Sequence, residues 1–164
     1  VQPALLLLRC ADQMPIRFAT LSDVPDLVES ASRAHSLMHS CRRPYDAHKA
    51  AQAFTELIEQ RKSRYGCFVA EDAKGRLVGA LIGSIEQQIF SDARTASVMH
   101  FDVLPESRAS EHAVSLLRAF ETWSTNRGAT EIAIGGTGMQ RFGRLARRLG
   151  FRLTTRTYAK EARV

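Results

Sequence analysis

The sequence predicts one α/β domain, a mixed central sheet with about four helices. Three observations carry that expectation. Short stretches alternate apolar and polar residues, or run apolar between turn signals, as strands do. Longer stretches repeat apolar residues at i, i+3, i+4 and i+7, as amphipathic helices do. Strand-like stretches follow one another in the middle of the chain and then alternate with helices. That order implies antiparallel hairpins first and strand–helix–strand units later. The 164 residues fit one domain, and a balance of 45% hydrophobic to 24% charged residues excludes a mainly disordered chain. No apolar stretch approaches the ~20 residues that a membrane-spanning helix needs.

The elements follow in order. Met14-Pro15-Ile16-Arg17 reads as a natural start, so residues 1–13 are expected to be an extension or leader and 14–164 the single domain. Ile16 to Leu21 alternates as a half-buried strand. It stops at Ser22-Asp23-Val24-Pro25, where Ser22 is expected to cap a helix, Asp23 favours its dipole and Pro25 suits its first turn. Val24, Leu27, Val28 and Ala31 mark its inner face. After a polar, irregular 35–46, a second helix carries Ala50, Phe54, Leu57, Ile58 and Arg61 on one face. Cys67-Phe68-Val69-Ala70, the turn Asp72-Ala73-Lys74-Gly75 and the strand Leu77 to Ile85 make a hairpin. Gly79 and Gly83 inside it predict a bulge or a close backbone approach.

Beyond the loop Ser91-Asp92-Ala93-Arg94, residues 95–104 form a strand antiparallel to the last, ended by Pro105. Ala113, Leu116, Leu117, Phe120 and Trp123 stripe the longest helix, and Gly128 supplies its left-handed terminus. Glu131 to Ile134 is a strand and Gly135-Gly136-Thr137-Gly138 a loop. Phe142, Leu145, Ala146 and Leu149 mark a fourth helix closed by Gly150, and Phe151 to Tyr158 is the last strand.

Three cysteines, Cys10, Cys41 and Cys67, form no C-x-x-C pair and argue against a disulfide framework. They fit a reducing compartment, so a cytoplasmic location is expected. His35, His39, Cys41 and His48 are ligand-like residue types, but their spacing matches no standard zinc pattern and no metal site is expected.

The element order and the residues at its joints resemble the GNAT superfamily of N-acetyltransferases over roughly residues 16–160. Ile16-Arg17-x-Ala19-Thr20-x-x-Asp23-x-Pro25-x-Leu27 is similar to the family's first strand and helix. Val103-Leu104-Pro105-Glu106-Ser107-Arg108 is similar to the end of its fourth strand, and Leu149-Gly150-Phe151 to its closing helix-to-strand joint. In that family a segment of Arg or Gln, two residues, Gly, one residue, then Gly or Ala opens the long helix. Its backbone N–H groups cradle the pyrophosphate of coenzyme A, as a helix N-terminus is suited to do. Here it reads Arg108-Ala109-Ser110-Glu111-His112-Ala113, with Glu111 at the central Gly position. A tyrosine that serves many members as general acid is replaced by Ala146.

The resemblance implies a GNAT-like acyl-CoA N-acyltransferase fold and transfer of an acetyl or other acyl group from acetyl-CoA to an amine by direct attack in a ternary complex. The acceptor would be a small molecule or a peptide, walled by variable loops near 35–50 and 86–95 that include His39 and Tyr45. Phe101, Asp102 and Val103 would hold the pantetheine arm, and Arg108, Ala109, Ser110, Glu111, His112 and Ala113 the pyrophosphate. His100 and Asp102, on one face of the strand, are the candidate bases, acting directly or through water. A homodimer is a family-level expectation.

The net charge is +6, with only four lysines among 23 basic residues, so arginine dominates. No acid occurs from Ile132 to Lys160, a stretch that holds Arg141, Arg144, Arg147, Arg148, Arg152 and Arg156. Attraction of the coenzyme A phosphates is one reading and a solvated cationic face another. Nucleic-acid contact ranks below both, because no aromatic residues interleave with the arginines. Glu111 and Ala146 leave a non-catalytic binding or assembly module on the same fold as the alternative to an enzyme.

Overall fold

The computed structural model describes residues 16–36, 44–60, 64–107, 111–135 and 139–154, and the side chains of residues 139–141 are excepted. The elements are β1 (Ile16–Phe18), α1 (Val24–Ser36), α2 (Ala47–Glu59), β2 (Tyr65–Glu71), β3 (Leu77–Gln87), β4 (Arg94–Val103), α3 (His112–Asn126), β5 (Glu131–Ala133) and α4 (Met139–Arg148). One five-stranded sheet runs in the order β1-β2-β3-β4-β5. The first three pairings are antiparallel and β4–β5 is parallel, so the hairpins precede the strand–helix–strand unit as the sequence implies.

β2 and β3 are buried almost end to end, because helices cover both faces of the sheet. On one face Phe68, Leu81, Ala96 and Val103 pack with Leu116, Leu117, Phe120 and Trp123 of α3, with Leu145 of α4 and Leu149 just beyond it at the margin. On the other, Cys67, Val69, Ala80 and Ile82 pack with Leu27 of α1 and Phe54 and Ile58 of α2. Gly83 lets α3 approach. A Cβ built there would lie 2.3 Å from a ring carbon of Phe120 and 2.8 Å from the carbonyl oxygen of Ser97. Gly128, at φ 76°, ends α3 in the left-handed conformation that the sequence predicts.

The entry to α1 differs from expectation. Thr20, not Ser22, is the cap, opening a short 3-10 turn over Leu21–Asp23 that leads into the helix. The reason lies in Asp23. Its carboxylate accepts from the Thr20 backbone N–H (2.7 Å) and from both terminal nitrogens of Arg17 (2.8 and 2.9 Å), while Arg17 Nε donates to Glu71 (2.9 Å). This clamp joins β1, the turn and β2. The Arg17 guanidinium holds the Asp23 carboxyl below its ordinary range against the opposing effect of burial. α2 is capped by Asp46, which accepts from the Lys49 N–H.

The expected last strand is not observed where it is described. Phe151–Thr154 make no ladder, and residues 155–158 lie outside the described residues. A three-residue β5 offers its far edge few backbone groups with which to build a sixth strand.

Candidate active site

β4 organises the site. Ala96 and Val98 face the α3 side, and so do Phe101 and Val103, although an unbroken strand would send Val98 and Phe101 to opposite faces. The register resolves this. Ile82 pairs with His100 and Gly83 with Val98, leaving Met99 as one extra residue. That bulge resets the alternation and brings His100 and Asp102 to the α1 face.

There the two candidate bases meet two residues that the sequence reading did not single out. Ser30 Oγ lies 2.9 Å from His100 Nε2 and 3.2 Å from Asp102 Oδ2. Arg33 donates to the same Asp102 oxygen from Nε (3.3 Å) and Nη2 (3.1 Å), and its Nη1 reaches Glu29 (3.1 Å). Asp102 and Ser30 are buried, and the Phe54 ring closes on His100 with centroids 6.3 Å apart. Burial pushes the His100 imidazole below its ordinary 6.5. Asp102 opposes that shift and Arg33 adds to it, so the ring is neutral at pH 7. A faint signal for Ser30 existed in the sequence: it stands three residues after Leu27, a polar side chain set into the buried stripe of α1.

The residues expected to hold a cofactor divide. Phe101 and Val103 point away from His100 and Asp102, and Phe101 packs on Phe142 of α4 with centroids 5.8 Å apart. β5 pairs only with Thr95–Ser97, so among the described residues no strand covers β4 from Val98 to Val103 on that flank. An extended amide-bearing chain can lie along such an edge. Arg108, Ala109 and Ser110 lie outside the described residues. Glu111 is the N-cap residue of α3. It is exposed and its side chain makes no cap hydrogen bond among the described residues. His112 is buried and Ala113 packs against the α3-side core, so their side chains belong to the framework.

Of the expected acceptor walls, Tyr45 donates to the Val28 carbonyl (2.6 Å) and its ring lies 5.5 Å from that of His35, centroid to centroid. His39 and Cys41 lie outside the described residues. Among the described residues no cluster of three metal-ligating side chains occurs, and no helix is long and apolar enough to cross a membrane. Arg144, Arg147, Arg148 and Arg152 are exposed and form no ion pair among the described residues.

Among the described residues, a mixed sheet thus leaves part of β4 uncovered on the flank beside the N-terminus of α3. The profile of the Acetyltransferase (GNAT) family matches residues 28–151, and the chain belongs to that family. It is an N-acetyltransferase, moving an acetyl group from acetyl-CoA to an amine. No curated protein matches the sequence.

Solved structures share the fold at low identity. AAC(6')-Iy in complex with the bisubstrate analogue CoA-S-monomethyl-acetylneamine is 23% identical with a TM-score of 0.71, covering 93% of this chain and 100% of that one. The glucosamine-6-phosphate N-acetyltransferase of Arabidopsis thaliana is 11% identical with a TM-score of 0.72, covering 92% and 99%. The ribosomal-protein-alanine N-acetyltransferase of Brucella melitensis biovar Abortus 2308 is 19% identical with a TM-score of 0.69, covering 90% and 99%.

Proposed function

We propose that the transfer occurs in one step within a ternary complex, with His100 as the base that takes the proton from the acceptor ammonium. The observation that carries this reading is the environment of His100, a neutral imidazole on the bulged segment of β4, beside the edge that β5 leaves open. Asp102, the other candidate, is buried, and its Oδ2 already accepts from Ser30 and Arg33 and is committed to holding the cluster.

The residues present suit acetyl-CoA. The flank of β4 along Phe101, Asp102 and Val103, beyond the reach of β5, would take the amides of the pantetheine arm, and the N-terminal end of α3 the pyrophosphate. Arg108, at the position where the family carries Arg or Gln, would add a guanidinium fork to that cradle. When bound, acetyl-CoA supplies a thioester carbonyl open to the amine and a thiolate that leaves. His100 holds the proton taken from the amine. Ala146, at the position of the family's tyrosine, carries no hydroxyl, so another group or water would pass the second proton of the attacking nitrogen to the departing thiolate. The acceptor would be a small-molecule or peptide amine, its walls drawn from residues near 35–50 and 86–95.

The test is the thermal midpoint with and without millimolar acetyl-CoA, because a ligand bound only by the native state stabilises it by RT ln(1 + [L]/Kd). A rise that shrinks in Arg108→Ala supports the cradle, and a panel of primary amines with free-thiol detection then reads the transfer. An unchanged midpoint at moderate salt sinks the reading.

A further inference from the structure

Among the described residues two serines are buried inside helices, and they behave differently. Ser124 of α3 donates to the carbonyl of Phe120 one turn back (2.7 Å), the ordinary recourse of a helical serine. Ser30 of α1 makes no such bond among the described residues. Its Oγ is turned instead into the sheet, between His100 Nε2 at 2.9 Å and Asp102 Oδ2 at 3.2 Å. A hydroxyl carries one proton, and the direction in which it is spent decides the state of the histidine.

Asp102 settles that direction. Its carboxylate is ion-paired to Arg33 at 3.1 Å and can only accept. Were Ser30 to donate to His100, two oxygen lone pairs would face each other at 3.2 Å in a buried site, which is costly. The hydroxyl proton therefore goes to Asp102, and Ser30 Oγ accepts from His100. A neutral imidazole that donates through Nε2 carries its lone pair on Nδ1. Nδ1 makes no hydrogen bond among the described residues, and it is not one of the polar atoms sealed from solvent.

The geometry points to Ser30 as a positioning residue that, with Asp102 and Arg33 behind it, holds His100 in the Nε2–H tautomer and so makes Nδ1 the basic nitrogen. This rests on the reading of His100 as the base and deepens it by naming the atom. When Nδ1 takes the proton of the acceptor ammonium, both ring nitrogens become donors, and the new positive charge is met through Ser30 by the Asp102 carboxylate. The charged groups that bear on the ring are Asp102 from its own strand and Arg33 from α1, while α2 contributes the uncharged Phe54 ring. Burial of the ring keeps Nδ1 unprotonated near neutrality.

The experiment reads the tautomer directly, by long-range proton–nitrogen correlation on protein labelled with 15N-histidine at neutral pH. The His100 signals are identified by their loss in His100→Gln. The expected wild-type pattern is a protonated-type Nε2 and an unprotonated-type Nδ1. In Ser30→Ala that pattern gives way to exchanging tautomers, and kcat with an amine from the acceptor panel falls about tenfold. KM for acetyl-CoA stays unchanged, and Ser30→Thr, which keeps the hydroxyl, restores the tautomer. A wild-type ring protonated on Nδ1 overturns the proposal, as does an Nε2–H pattern that survives in Ser30→Ala. The wild-type spectrum decides even if a variant fails to fold. Full activity of His100→Gln beside the expected spectra would instead remove His100 as the base and leave the hydrogen-bond relay standing.

Discussion

The two faces of the sheet are built on different principles. The α3 face is apolar and tightly fitted: the Phe120 ring occupies the space of the missing Gly83 side chain, stacks on Trp123 and is almost wholly buried. The α1 face has a smaller apolar core around Leu27, Phe54 and Ile82, and beside it a buried polar cluster of Ser30, Asp102, His100 and Arg33. Burying those groups without partners would cost several kcal/mol, so each is held by another. One face therefore carries stability and the other the proposed chemistry, and the β4 bulge at Met99 is where the strand turns His100 and Asp102 from the first face to the second.

Substitutions can break this division, and the largest effect is expected on the apolar face. Phe120→Ala should cost about 3–5 kcal/mol, read as a lowered urea midpoint, because the ring leaves a cavity that a β3 backbone without side chain at Gly83 cannot fill. On the other face His100→Gln should lower kcat by about 10²–10⁴ while moving the urea midpoint far less than Phe120→Ala does. Equal stability losses from the two variants would contradict the division.

The pH dependence sharpens the same contrast. The folded His100 ionises below 6.5, so log kcat/KM should fall on an acidic limb whose midpoint lies under that value. The sign for stability follows: the folded state binds this proton less readily than the unfolded chain. The contribution is complete above 6.5 and is lost as the pH falls through the lower folded value. Asp23 behaves likewise in a more acidic window. Its folded carboxyl is held below 3.8 by Arg17, so the clamp stabilises above that value and fails as the pH drops through the folded one. Urea midpoints across acid pH should be flatter in Asp23→Asn than in the wild type.

The smallest effect concerns the α3 N-terminus. Glu111→Gln removes an exposed negative charge beside the proposed pyrophosphate cradle and should tighten acetyl-CoA about two- to fivefold at low salt, with the gain vanishing at high salt. A loss of affinity would mean that Glu111 helps to hold the ligand.

Much of the scaffold was legible because it depends on local periodicity. Leu116, Leu117, Phe120 and Trp123 announce α3 by spacing alone, and Gly83 and Gly128 mark a close approach and a helix end by lacking a side chain. The Arg17–Asp23 contact overrode a local rule: Ser22 is a good cap by residue type, but an ion pair with β1 drew Asp23 inward and moved the cap to Thr20. The bulge left a trace that a closer reading could use, since the apolar positions of β4 change parity between Val98 and Phe101.

By itself, then, the sequence determined the element order from β1 to α4 and the family, and it nominated two bases, because periodicity, turn chemistry and short motifs act between near neighbours in the chain. Only the tertiary structure decided which residues share the site. Ser30 and His100 stand 70 positions apart, and Ser30 and Asp102 72. No local pattern encodes which face of α1 meets which face of β4. That choice belongs to helix-on-sheet packing and to one extra residue in a strand, and with it goes the direction of a single hydroxyl proton.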